Sequence, residues 1–293
     1  MRYYNQLFSV SRFAMRLFVD QLTNLDFSYL DAKRGVIGET WLASIELRGE
    51  LDEQGMICDF STVKKLIRNW LDNTLDHKLL IPRHSSALSR LEDGEQQSFD
   101  WHCSRGLIHS SAPADAHALL PVTDITPDSV ANWCLDELKP LFPSSVIELT
   151  LRFENEHIDG PYYHYSHGLQ KHLGNCQRIA HGHRSRIDIW RNGEIAEDLK
   201  QAWAKRWCDI YIGTEAHCSQ DPEHQDNLLF SYEAQQGHFL ISLPKEHCYL
   251  ISSDSTVELL AEHLAEQIKL AEPQAQIRVK AYEGLAKGAI VER

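Results

Sequence analysis

Apolar and polar residues alternate in some stretches of this chain and recur every three to four residues in others. The two rhythms divide it into strands and helices. Residues 3–18, rich in aromatic and aliphatic side chains, and residues 41–51 read as strands. Val63, Leu66, Ile67, Trp70 and Leu71 fall on one face of a helix, with Ser61 as its predicted N-cap and its end near residues 75–80. Polar residues 83–97 predict a loop, and residues 99–110 a hairpin turning at Gly106. Thr126, Pro127 and Asp128 form a helix start: a hydroxyl cap, a ring that presets φ, and an acid at the positive end of the dipole. Val130, Trp133, Leu135 and Leu138 continue that helix until Pro140 removes a donor. Residues 146–154 alternate again as a strand.

The second half repeats this order. Asp198-Leu199 answers Asp59-Phe60 and opens a helix carrying Leu199, Trp203 and Trp207; His217 answers His77. Gly237 answers Gly106, and Ser255-Thr-Val-Glu258 reads as a capping box answering Thr126. Tyr282-Glu283 answers Phe153-Glu154. An ordered correspondence of this kind predicts an α+β chain of two tandem units, residues 1–156 and 157–293. Each unit has the order strand-strand-helix-helix-strand-strand.

Composition narrows the class. A formal net charge of −13 argues against a dedicated nucleic-acid binder, which needs a basic footprint. Seven irregularly spaced cysteines form no Cys-x-x-Cys pair, so neither a zinc ribbon nor a disulfide framework is suggested. No apolar signal core or membrane-length apolar run is evident. A reducing, cytoplasmic location is the expectation.

The chemistry concentrates in residues 164–183, which hold five of the 16 histidines and Cys176. His181-Gly182-His183 runs into an alternating strand, so both imidazoles point to one face. Residues 163–167 are the best candidate for the neighbouring strand, with His167 as a third imidazole. Three histidines suit zinc at roughly 2.0–2.1 Å per nitrogen with a fourth position open.

Residues 163–169 resemble the Phe-x-Ala-Ala-His-x-Leu strand of the 6-pyruvoyltetrahydropterin synthase / 6-carboxytetrahydropterin synthase family. Cys176 followed by His181-Gly182-His183 resembles that family's Cys-x(n)-His-Gly-His motif, with a spacing between those of the carboxy and pyruvoyl types. Residues 8–12 resemble the same strand in the first unit, with Arg12 at the ligand position and Ile37 and Glu39 in place of His181 and His183. Leu75-Asp76-His77 matches the Asp-His of the family's Cys-Asp-His set, whereas the second unit has Glu215-Ala216-His217.

The resemblance implies the T-fold, in which antiparallel sheets of several units close into a barrel. It implies a homo-oligomer of three chains or a multiple. It also implies zinc on His167, His181 and His183, and Cys176 with Asp76 and His77 as catalytic groups, composed from both units; His217 is the competing partner for Cys176. Glu283 would anchor a pterin ring as a bidentate acceptor. Lys171, Arg178, Arg184, Arg186 and Lys287 would meet a triphosphate. The implied substrate is the small molecule 7,8-dihydroneopterin triphosphate, and the product is the 6-carboxy- or 6-pyruvoyl-tetrahydropterin, the former serving queuosine-type synthesis. A zinc-dependent hydrolase of a phosphorylated or cyclic heterocycle, and a non-catalytic T-fold binding module, stay open beside it.

Overall fold

The computed structural model describes residues 15–293. In the first half, β1 (Met15–Asp31) and β2 (Gly35–Gly49) form a long antiparallel hairpin in which Ser28 lies opposite Gly38. Helix α1 (Phe60–Thr74) buries Val63, Ile67 and Leu71 and leads into β3 (Leu79–Pro82), parallel to β1. A meander of β4 (Leu88–Glu92), β5 (Gln96–Cys103) and β6 (Gly106–Pro113) follows, then β7 (His117–Leu120), parallel to β3. Helix α2 (Pro127–Leu138) precedes β8 (Val146–Asn155), which closes on β2. The sheet order is β7-β3-β1-β2-β8.

In the second half β9 (Tyr163–His167) pairs with β10 (His181–Ser185), and the run continues as β11 (Ile187–Arg191) and β12 (Glu194–Ile195). Helix α3 (Glu197–Arg206) and β13 (Ile210–Thr214) come next. Then follow β14 (Cys218–Gln220), β15 (Asn227–Ala234), β16 (Gly237–Pro244) and β17 (Cys248–Ile251). Helix α4 (Val257–Ala271), β18 (Ile277–Tyr282) and β19 (Gly288–Glu292) complete the chain. Two sheets result, β10-β9-β13-β17 and β12-β11-β18-β19, and their strands follow the order of the first half. Each described sheet is open. No helix among the described residues is long and apolar enough to cross a membrane.

The halves meet in two ways. Their meanders join through β6 and β16 into one six-stranded sheet, with Ser110 opposite Ile241. Phe99, Trp101 and Ile108 share a core there with Tyr211, Phe230 and Phe239. The hairpins also cross at Gly38 and Gly182. A Cβ on Gly38 would lie 1.8 Å from the Tyr165 carbonyl oxygen, and one on Gly182 would lie 2.7 Å from Gly38 Cα. Glycine is required at both because two backbones touch.

Several expectations are corrected. Arg12 lies outside the described residues. The strand runs on to Asp31, and Tyr29 faces Ile37 as His167 faces His181, so Tyr29 holds the corresponding position. Asp59, not Ser61, caps α1, accepting from Thr62 N at 2.8 Å. Thr256 caps α4, which releases Ser255 for another partner. Residues 88–92 of the expected loop are a strand whose side chains face outward too often to show an apolar pattern.

Candidate metal centre and active site

The β9–β10 register builds the site. His167 lies opposite His181, and Tyr165 opposite His183, so two neighbouring cross-strand pairs share one face. All three histidines are buried, and their ligand atoms lie within 4.8 Å of one another. His167 Nε2 and His183 Nε2 are 3.4 Å apart. A tetrahedral ion with bonds of roughly 2.0–2.1 Å separates its ligand nitrogens by about 3.4 Å.

The opposite ring nitrogens are committed elsewhere. His167 Nδ1 lies 3.0 Å from the Ser255 carbonyl and 3.1 Å from its hydroxyl; His181 Nδ1 lies 3.1 Å from the Arg178 carbonyl. A donor at Nδ1 leaves the lone pair on Nε2, which is the metal-ligating form. Burial first, and then the neighbouring imidazoles, hold His167 and His181 well below the ordinary histidine range, so both stay neutral. His183 Nδ1 lies 3.1 Å from Asp26 Oδ1, off the line of a good hydrogen bond. Asp26 is buried, which by itself would raise its pKa. His183, Lys287 and the Thr40 hydroxyl overcome that and keep it ionised, well below the usual carboxylate range. The donor set and its outward anchors fit a zinc ion on His167, His181 and His183.

Beside this cluster stands a second. Ligand atoms of His77, Cys176 and His181 also lie within 4.8 Å of one another, and the His77 ring is 5.1 Å from that of His181. His77 follows α1 with a left-handed backbone, φ 54°, fixed by its N–H donating to the Asp26 carbonyl at 2.8 Å. Its Nδ1 is 2.5 Å from Asp76 Oδ2, and the other oxygen of Asp76 accepts from Asp26 N at 2.9 Å. Burial disfavours an imidazolium here. The Asp76 carboxylate and Cys176 outweigh that and push His77 up to about 10. Cys176 sits in a one-turn helix, Asn175–Gln177, tied back by Leu169 N donating to its carbonyl at 2.8 Å. The buried Gln177 takes a hydrogen bond from Gln236 N in the β15–β16 turn, and Tyr232 donates to its carbonyl. The arrangement can hold a divalent metal with a thiol and an imidazole poised beside it.

Glu283 flanks the cluster, half-buried, with Oε1 4.0 Å from His183 Nε2 and Oε2 3.5 Å from Lys287 Nζ. The register pairs Ala43 with Phe153 and Ile187 with Ala281, so Asn155 rather than Glu154 corresponds to Glu283. His217 stands apart from both clusters, 2.9 Å from Gln170 Oε1 and against Tyr232. Asp209 matches His77 instead: it precedes β13 as His77 precedes β3, and its φ of 57° is positive like the 54° of His77.

Of the cations expected to meet a triphosphate, Lys171 pairs with Asp254 and Arg186 with Glu156. Arg184 donates to the Glu156 carbonyl, and Lys287 lies between Asp26 and Glu283. Arg178 remains near the site, 3.5 Å from the His77 carbonyl, with Lys78 close enough for their charges to repel. Sequence reasoning missed Asp26, Ser255 and Lys78. An acid inside an apolar run, as in Leu25-Asp26-Phe27, was the available signal that a buried carboxylate has a partner.

A family model described as 6-pyruvoyl tetrahydropterin synthase matches residues 22–157, the half without the histidine triple. A Pyrococcus abyssi protein named "Putative 6-carboxy-5,6,7,8-tetrahydropterin synthase" is 36% identical over 133 residues, which cover 44% of this chain and 73% of the relative. Among solved structures, a catalytic-residue mutant of Plasmodium vivax 6-pyruvoyltetrahydropterin synthase aligns with a TM-score of 0.38 at 19% identity. It covers 48% of this chain and 98% of its own. The Plasmodium falciparum enzyme aligns with a TM-score of 0.37 at 17% identity over the same shares.

Proposed function

Since the chain belongs to the 6-pyruvoyl tetrahydropterin synthase family, we propose that it is a zinc-dependent pterin synthase acting on 7,8-dihydroneopterin triphosphate. The observation that carries this reading is the juxtaposition of His77 and Cys176, from opposite halves, beside three convergent imidazoles. In this reading the chain is a tandem pair of T-fold units, residues 1–156 and 157–293, and each has kept the part of the site that the other lost. It works in the cytoplasm. Its open sheets associate through their edge strands, so that three chains or a multiple form the oligomer.

Zinc on His167, His181 and His183 would act as a Lewis acid toward the side-chain hydroxyls of the substrate. Glu283 accepts two hydrogen bonds from the amino-pyrimidinone edge and so orients the ring. Cys176 removes and returns protons at the side-chain carbons. His77 exchanges protons with Cys176, and Asp76 fixes its tautomer through Nδ1. Asp26 N holds Asp76 in turn. Arg178 and Lys78 meet the triphosphate at the His77 end of the site.

Elemental analysis combined with turnover of 7,8-dihydroneopterin triphosphate tests the proposal. One zinc per chain and formation of a 6-carboxy- or 6-pyruvoyl-tetrahydropterin are expected, and product identity separates the two activities. Full zinc with no turnover would refute it.

A further inference from the structure

The hairpin face that carries the three imidazoles has a fourth member. Tyr165 lies directly opposite His183 and two residues before His167, so strand geometry puts its ring on the ligand face. Its ring centroid is 5.1 Å from that of His167 and 5.3 Å from that of His183. Tyr165 is fully buried, yet its hydroxyl has no hydrogen-bond partner among the described residues. Two other buried phenols are satisfied: Tyr211 donates to the Ile179 carbonyl at 2.9 Å and Tyr232 to the Gln177 carbonyl at 2.8 Å. Buried hydroxyls nearly always find partners, and an exception needs a reason.

The surroundings of Tyr165 supply one. Glu283 comes to 4.0 Å from His183 Nε2 and Asp26 to 3.1 Å from its Nδ1. The phenol therefore packs against the imidazole that both carboxylates approach. Of the four side chains in the two cross-strand pairs, three would present lone pairs and the fourth presents a donor.

We propose that Tyr165 donates a hydrogen bond to a side-chain oxygen of the bound substrate, fixing which carbon of the side chain faces Cys176. The inference rests on the substrate reading above. It makes Tyr165 a binding and positioning residue that deepens that reading.

Tyr165→Phe removes one oxygen and keeps the ring. In the zinc-loaded, full-length protein the variant should contain as much zinc as the wild type. It should melt at the same temperature or higher without substrate, because no protein partner is lost. Its kcat/KM for 7,8-dihydroneopterin triphosphate should fall roughly tenfold or more, the effect of one lost hydrogen bond to a buried donor site. A variant that folds poorly or melts several degrees lower would make the hydroxyl a structural group. Weaker zinc retention in a chelator competition would make it a metal ligand. Either result overturns the proposal. An inactive wild type with full zinc removes the substrate reading and this inference with it, whereas an active wild type matched by an equally active Tyr165→Phe removes this inference alone.

Discussion

The hydroxyls of Ser28 and Ser166 meet 2.7 Å apart at the buried crossing of two hairpins, one from each half of the chain. Ser28 faces Gly38 across its hairpin, and Ser166 faces Gly182. The pair therefore lies where the backbones of the two hairpins touch. Removing either hydroxyl leaves the other buried and unpaired, which costs about 1–3 kcal/mol, whereas removing both leaves nothing unsatisfied. Ser28→Ala and Ser166→Ala should each lower the urea midpoint, and the double variant should be no worse than one single. Additive losses would show that the hydroxyls are not coupled.

His77 and Cys176 approach within one chain, so the site should work within one chain. His77→Asn, chosen because asparagine tolerates the left-handed backbone at φ 54°, should lower turnover by a factor of roughly 10²–10⁴. Zinc content should not change, and His217→Ala should be mild. Mixing His77→Asn chains with Cys176→Ala chains under subunit exchange should restore nothing. Recovered activity in the mixture would place the site between chains.

Asp26 stands behind His183 from the other half of the molecule, 3.1 Å from its Nδ1. Outer carboxylates of this kind orient a ligating imidazole, and their loss weakens metal binding by about 10–100-fold. Asp26→Asn should therefore lose zinc to a chelator at correspondingly lower concentration while remaining folded. Lys287→Met, which removes the cation on the same carboxylate, should have a smaller effect. Equal zinc affinity in Asp26→Asn and wild type would leave His183 oriented by packing alone.

Glu39 takes the position of His183 in the first half, and among the described residues it belongs to no group of three metal-binding side chains. Burial pushes its pKa up to about 7 from an ordinary 4.5, despite hydrogen bonds from Thr40 N and Asn155 and the nearby Arg184 and Arg34. The unfolded chain thus ionises Glu39 first, and between pH 4.5 and 7 the folded chain holds more protons. Stability from this residue falls as pH rises through that window, by about 3 kcal/mol once pH exceeds 7. Glu39→Gln keeps an acceptor for both donors. It should flatten that part of the pH–stability curve and raise the melting temperature at pH 8. An unchanged curve would show that Glu39 ionises normally.

The sequence determined the local structure of this protein. Periodicity marked the helices at Val63–Ile67–Leu71 and at Thr126-Pro127, because those faces must be buried and those caps satisfy orphan donors. His181-Gly182-His183 put two imidazoles on one face, because a strand repeats every two residues. The order of elements in the two halves was equally legible. Correspondence by residue type was less secure. His217 was matched to His77 because both are histidines, but the sheet register gives that place to Asp209; Glu154 was one residue from Asn155, which in a strand is the opposite face.

Tertiary structure decided what surrounds the imidazoles. Asp26 reaches His183, and His77 reaches His181 and Cys176, only because the β1–β2 and β9–β10 hairpins cross where Gly38 and Gly182 let their backbones touch. Nothing in the neighbourhood of Asp26 along the chain names His183 as its partner. Such contacts come from the packing of distant strands, where burial leaves each polar group to be satisfied by whatever the other hairpin brings. Sequence therefore supplied the three imidazoles, and the crossing of the halves supplied what surrounds them.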